Sequence, residues 1–208
     1  MRKRIKAHPH EVLLGSEQFL HAGKEYLYSQ VTSLAYYAVK TTQKINFVTA
    51  GVTYNAEIDI YIEGSDQPIE IRPDKSFAVS LLPPKYEEKY TREKAASVSE
   101  LYPRLAEKTF PYRMKRYLQM IEQYGCFLYD GKRFFRDGLV IGDNCQVNFH
   151  TAALYKRPFE VFVSLPKSVG KKLIHRFIKD QDFVISTKHD ADVFFALLEK
   201  LYGKRWEQ

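Results

Sequence analysis

Three tight-turn signals crowd into residues 130–144 of this 208-residue chain: Asp130-Gly131, Asp137-Gly138 and Gly142-Asp143-Asn144. Asp-Gly pairs supply the positive-φ positions that two-residue hairpin loops need. No helix survives turns so closely spaced. The segments between them, 126–129, 132–136, 139–141 and 145–149, are therefore short strands of a tight antiparallel meander. The stretch continues to a last strand at 159–165, entered after Pro158 and stopped by Pro166. Aromatics make up 14% of the chain, and Tyr and Phe favour pleated, half-buried surfaces, which agrees with a β-rich fold.

The N-terminal half reads the same way. In 53–63, Ala56, Ile58, Ile60 and Ile62 alternate with Glu57, Asp59, Tyr61 and Glu63, giving a strand with one buried and one wet face. Gly64-Ser65-Asp66-Gln67 is a turn, and 68–72 returns as its partner. Segments 11–14, 18–20, 25–28, 33–40 and 45–48 complete a meander of about five or six strands, with a turn at Gly23 and a polar break at 41–44.

Between the two meanders Pro83-Pro84 and a charged run predict a linker over 73–92, followed by two helices. Ser97 and Glu100 suit a capping box, with Pro103 then inside or just after the first turn. Thr109 and Pro111 open the second helix, striped by Met114, Tyr117, Leu118, Ile121 and Tyr124 and stopped at Gly125. After the second meander, 168–179 has helical spacing, with Val169, Leu173, Ile174, Phe177 and Ile178 on one half and cations on the other. A short strand at 182–186 leads to a final helix, capped by Thr187 or Asp190, striped by Val193, Phe194, Leu197, Leu198 and Leu201 and stopped at Gly203. The expected class is α+β: antiparallel meanders, a central helical segment and a C-terminal helix. The expected divisions are 1–88, 89–125 and 126–208. Aligning Gly23 with Gly142 suggests that the second meander repeats the first.

The run FRDGLVIGDNCQVNF, followed by further β structure and the amphipathic DVFFALLEKLY at 192–202, resembles bacterial pleckstrin-homology-like and GRAM-type domains over about the last 80 residues. The resemblance implies a bent barrel closed by a C-terminal helix, or two related halves completing one fold. It also implies a scaffold that holds lipid head groups or protein segments without catalysis. In such folds an early hairpin often carries basic residues that hold an anionic head group; here that place falls to Lys132 and Arg133, with Lys156 and Arg157 as additions. The basic segment ahead of the last strand departs from the pattern.

Charge points to the same half. Residues 1–100 carry 13 Lys/Arg and 13 Asp/Glu, whereas 101–208 carry 19 and 12, so the net charge of +7 belongs to the second half. Lys171, Lys172, Arg176 and Lys179 form the sharpest cluster, suited to phosphates or an anionic bilayer. The expected function is a non-enzymatic binding module for an anionic membrane surface or acidic protein segment. The alternative is a nucleic-acid-binding protein or a metal-dependent nuclease. The first form of that alternative rests on Tyr112, Arg113, Lys115 and Arg116, the second on Asp74 with Glu87-Glu88-Lys89. Cys126, Cys145, His150, His8 and His10 are metal-ligand types but lack the paired spacing of a zinc site, so no cofactor or metal is expected. Two cysteines form no disulfide framework, and no apolar run approaches bilayer length. A cytoplasmic setting, peripheral to the membrane, is the expectation. No oligomeric state follows.

Overall fold

In the computed structural model, which describes residues 5–7, 11–73, 83–142, 146–164 and 183–203, the chain is α+β. Its contacts divide it into two units, Met1–Arg113 and Met114–Gln208.

The first unit begins with β1 (Ile5–Ala7) and a three-stranded antiparallel sheet: β2 (Val12–Leu14), β3 (Gln18–His21) and β4 (Lys24–Leu27). A single 3-10 turn, Tyr28–Gln30, leads into β5 (Val31–Ile45), β6 (Val48–Ile62) and β7 (Ile69–Ile71). These strands form a second sheet in the order β1-β7-β6-β5, antiparallel except that β1 runs parallel to β7. The alternation in 53–63 holds: Ala56, Ile58, Ile60 and Ile62 are buried. The polar stretch 41–44 does not break the strand. It carries β5 on into a long two-stranded arm that turns at Asn46-Phe47.

α1 (Pro84–Tyr124) corrects the expectation of a linker and two helices. Pro84 takes the first helical position, where its missing N–H is no loss. Pro103 and Pro111 lie inside the helix, not at its starts. An interior proline costs about 3 kcal/mol. Val98, Leu101 and Leu105 are buried against the sheet residues, and burying each such side chain contributes about 1.5–3 kcal/mol. Tertiary burial thus offsets local propensity. Side-chain donors also reinforce the turn that the Pro111 ring crowds. Thr109 Oγ1 donates to the Leu105 carbonyl at 2.7 Å, and the buried Arg113 donates to Thr109 Oγ1 at 3.1 Å and to the Ala106 carbonyl at 3.0 Å. The division between units falls within α1, so residues 89–113 belong to the first body.

The second unit holds a four-stranded antiparallel meander: β8 (Cys126–Tyr129), β9 (Lys132–Phe135), β10 (Leu139–Ile141) and β11 (Gln146–Asn148). A three-stranded one follows, β12 (Ala153–Arg157), β13 (Glu160–Ser164) and β14 (Phe183–Ser186), and then α2 (Ala191–Tyr202). Among the described residues the sheets remain separate and close no barrel. The core is aromatic. Phe127 stacks on Phe134 at 4.9 Å, Tyr129 on Phe194 at 4.0 Å, and Phe149 meets Phe134 edge-on at 5.6 Å. Gly203, at φ +64, ends α2 as expected. Asp190 precedes the helix in a left-handed conformation and makes no side-chain cap; its carboxylate accepts from Tyr117 Oη at 3.3 Å. Ile121 is buried, but Tyr124, placed on the same stripe by its spacing, is 65% exposed.

The two units trace matching paths. Phe19 pairs across strands with Tyr26, and Val140 with Val147; all four are buried. The Tyr28 N–H donates to the Glu17 carbonyl at 3.0 Å, and the Phe149 N–H to the Gly138 carbonyl at 2.7 Å. Each residue and its counterpart differ by 121 positions. The alignment of Gly23 with Gly142 is therefore two residues out. Gly23 follows Ala22 in a turn where both residues have positive φ, whereas Gly142 stands level with His21 at a strand end.

His21 gives the first unit a pH sensitivity. It is 1% exposed, and neither ring nitrogen meets a hydrogen-bond partner. Burial holds its pKa below the ordinary histidine value, with Glu11 opposing weakly. The folded state therefore binds fewer protons than the unfolded chain near the unfolded pKa of about 6.5. Its stabilising effect is full above that pH and is lost as pH falls below it. Urea midpoints measured between pH 7.5 and 5.5 should decline, and His21→Phe should flatten the decline.

Candidate functional site

The predicted cation pairs sit in strands, where neighbouring side chains point to opposite faces. That separation decides what each pair can do. On β9, Lys132 shares the core-side face with Phe134, while Arg133 lies on the outer face with Leu128 and Ile141, its cross-strand neighbours. Lys132 is not available to a partner: its Nζ donates to Asp130 Oδ2 at 2.8 Å and to the Asp130 carbonyl at 3.0 Å, with the lysine side chain 17% exposed. The same Asp130 oxygen accepts the Ser186 N–H at 2.8 Å. The β8–β9 turn is thereby fastened to the end of β14. Of the two cations expected at this hairpin tip, Lys132 is engaged with Asp130 and Arg133 is exposed.

On β12 the same rule parts Lys156 from Arg157. Lys156 stands opposite Val161, and its Nζ lies 4.7 Å from the Phe195 ring centre on α2. Arg157 takes the outer face, stacked over Phe162 at 4.2 Å and opposite Glu160. Tyr155 and Val184 flank Phe162 on that face, 59% and 36% exposed. Glu160 in turn pairs in register with Ser186, the residue that Asp130 holds. The Thr187 N–H donates to the Phe159 carbonyl at 2.8 Å. The β8–β9 turn, the β12–β13 turn and the end of β14 therefore meet at one end of the second unit. Lys132 and Arg157 come to that end, interleaved with Asp130 and Glu160. Arg133 and Lys156 lie one residue further along their strands.

Each of the two sheets thus presents an exposed arginine beside apolar or aromatic side chains, an arrangement suited to an anionic group with an apolar neighbour. Tyr202 closes the opposite part of the core, donating to the Phe135 carbonyl at 2.6 Å; burial raises its pKa well above the phenolic range, and Asp137 and Cys126 add to the effect.

Lys171, Lys172, Arg176 and Lys179 lie outside the described residues, as do Asp74, Cys145, His8 and His10. Arg113, assigned to nucleic-acid phosphates by its spacing, is instead fully buried and bonded within α1. Tyr112 packs against the first unit's core; Lys115 is exposed. Glu88 is taken by Arg92, and Lys89 lies 4.0 Å from Glu93, so these charges are engaged along α1 itself. Cys126 is a free thiol, and among the described residues no three His, Cys, Asp or Glu side chains converge as a metal site. No described helix is long and apolar enough to cross a membrane. The fastening of Asp130 to Ser186 had no sequence signal, since it joins residues 56 positions apart.

Compared with known proteins, the chain matches no family model, no curated protein and no solved structure.

Asp130 can be tested by two substitutions. Asp130 has φ +47, a conformation that Asn tolerates and Ala does not. Asp130→Asn should cost less than about 1 kcal/mol, because the pair with Lys132 is partly exposed. Asp130→Ala should cost about 1–2 kcal/mol, by losing the bond to Ser186 and straining the turn. Equilibrium urea unfolding of the two variants reads the difference.

Proposed function

We propose that this protein is a non-catalytic binding module of pleckstrin-homology-like organisation, whose second unit holds an anionic lipid surface through Arg133, Lys156 and Arg157. The observation that carries the reading is the order of elements in that unit: a four-stranded meander, a three-stranded meander, and a helix whose apolar face fills the core. The matching path of the first unit supports a tandem of related bodies. The outer-face placing of Arg133 and Arg157 beside Leu128, Ile141, Tyr155 and Phe162 suits a head group with acyl chains behind it. The excess of positive charge in the second half favours the same partner, and the protein would act peripherally at a membrane.

The test is co-sedimentation with phosphatidylcholine vesicles with and without phosphatidylserine, beside single-stranded and duplex DNA, over a salt series. Anionic vesicles should bind at low salt and release as salt rises. The double variant Arg133→Glu and Arg157→Glu should weaken binding at least about tenfold, since each cation near the surface is worth about 1 kcal/mol. Tighter binding to DNA than to anionic vesicles at every salt concentration would overturn the proposal, as would equal binding to neutral and anionic vesicles. An acidic peptide that binds where the vesicles do not would move the reading to a protein partner.

A further inference from the structure

The turn joining β5 to β6 is built against the preference of its residues. Asn46 and Phe47 have φ of +49 and +66, the two left-handed positions of a tight hairpin turn. Asn fits the first; the second favours Gly, and a bulky side chain there is disfavoured. Phe47 gains nothing in packing to offset this, because it is 99% exposed, the most exposed large apolar side chain among the described residues. Folding does not account for a phenylalanine at this place.

The surroundings indicate what does. Residues 38–56 contain Lys40 and Lys44 and no Asp or Glu. Thr41, Thr42, Gln43 and Thr49 fill the exposed flanks of the arm. Its base is pinned. Tyr54 donates its N–H to Thr91 Oγ1 at 3.2 Å, Arg92 donates to Tyr54 Oη at 3.1 Å and lies 5.1 Å from its ring centre, and Lys40 lies 5.8 Å from the same ring. Beyond the Lys40–Tyr54 pair β5 runs five residues further to the turn, roughly 17 Å at strand rise. A held arm thus presents one aromatic ring at its tip, with hydroxyl, amide and ammonium groups behind it.

We propose that the β5–β6 tip is a membrane-insertion point: Phe47 enters the interfacial layer of a bilayer containing anionic lipids while Lys40 and Lys44 lie among the head groups. Aromatic residues partition to that layer, and lysines beside it meet the negative surface potential. A narrow two-stranded tip offers far less than the roughly 1,000 Å² a stable protein interface needs, which favours a bilayer over a protein partner. This contact lies in the first unit and is independent of the cations in the second.

The full-length chain with Trp206→Phe and Phe47→Trp supplies a fluorescent reporter at the tip. Mixed with phosphatidylcholine–phosphatidylserine vesicles, its emission should shift to the blue and be quenched by lipids brominated along the acyl chain. Phe47→Gly should lower vesicle binding about tenfold, by removing one buried aromatic anchor, while leaving the thermal midpoint unchanged or raised because Gly suits the turn. Emission from the tip reporter that stays unshifted and unquenched in the presence of bound vesicles overturns the proposal, and so does a Phe47→Gly variant that binds as tightly as the parent. Self-association of the parent, abolished by Phe47→Gly without lipid, also overturns it in favour of a protein contact. If Phe47→Gly has no effect while the Arg133→Glu, Arg157→Glu variant fails to bind, this inference falls and the reading of the second unit stands. The reverse pattern leaves the tip as the membrane contact and removes the cations of the second unit. A parent chain that binds no vesicle overturns both.

Discussion

An open antiparallel sheet buries one face and must have that face covered, and in this protein the cover in both units includes a helix that follows the strands in sequence. α1 lays Ala95, Val98, Leu101, Leu105 and Ala106 into the first unit's core, and α2 lays Val193, Phe194, Leu197 and Leu198 into the second's. Most of the rest depends on this closure. It keeps α1 helical through two prolines, and it brings Phe194 against Tyr129 and Phe134. It also leaves the outward faces of the sheets as the places where charged and apolar side chains are displayed together.

The sheet faces were legible in the sequence wherever one rule acted alone. Alternation found the buried row of β6, turn chemistry found the β8–β9 and β9–β10 connections, and the apolar stripe with Gly203 found α2. Legibility failed where a distant contact outweighed a local signal. Pro103 and Pro111 look like helix starts because the burial that retains them inside α1 involves strands far away in the chain. Arg113 looks like a surface cation because its acceptors, Thr109 and Ala106, become neighbours only once the helix forms. The polar residues 41–44 look like a loop because an arm that extends past its core has no buried face to mark its period.

The candidate site was only partly readable for a related reason. Adjacent basic residues in a sequence suggest a shared patch, yet a pleated strand sends neighbours to opposite faces. Lys132 and Arg133 therefore differ in use: one completes a turn with Asp130 and the other faces outward. Lys156 and Arg157 part likewise, Lys156 lying toward Phe195 and Arg157 over Phe162. Among the described residues, the exposed arginines stand beside apolar side chains rather than in the paired charges that the sequence suggests. The first unit's arm, with its aromatic tip, extends that amphipathic character to a second place in the chain.

The sharing of α1 has a consequence for how the chain can be divided. No loop or turn marks the boundary between the units; it lies in the middle of a helix, between Arg113 and Met114. A fragment ending there would keep the core of the first unit but leave a helix cut at its buried arginine. The complementary fragment would begin inside a helix and lack the turns that precede it. Each half thus carries a severed end where an intact domain would have a cap.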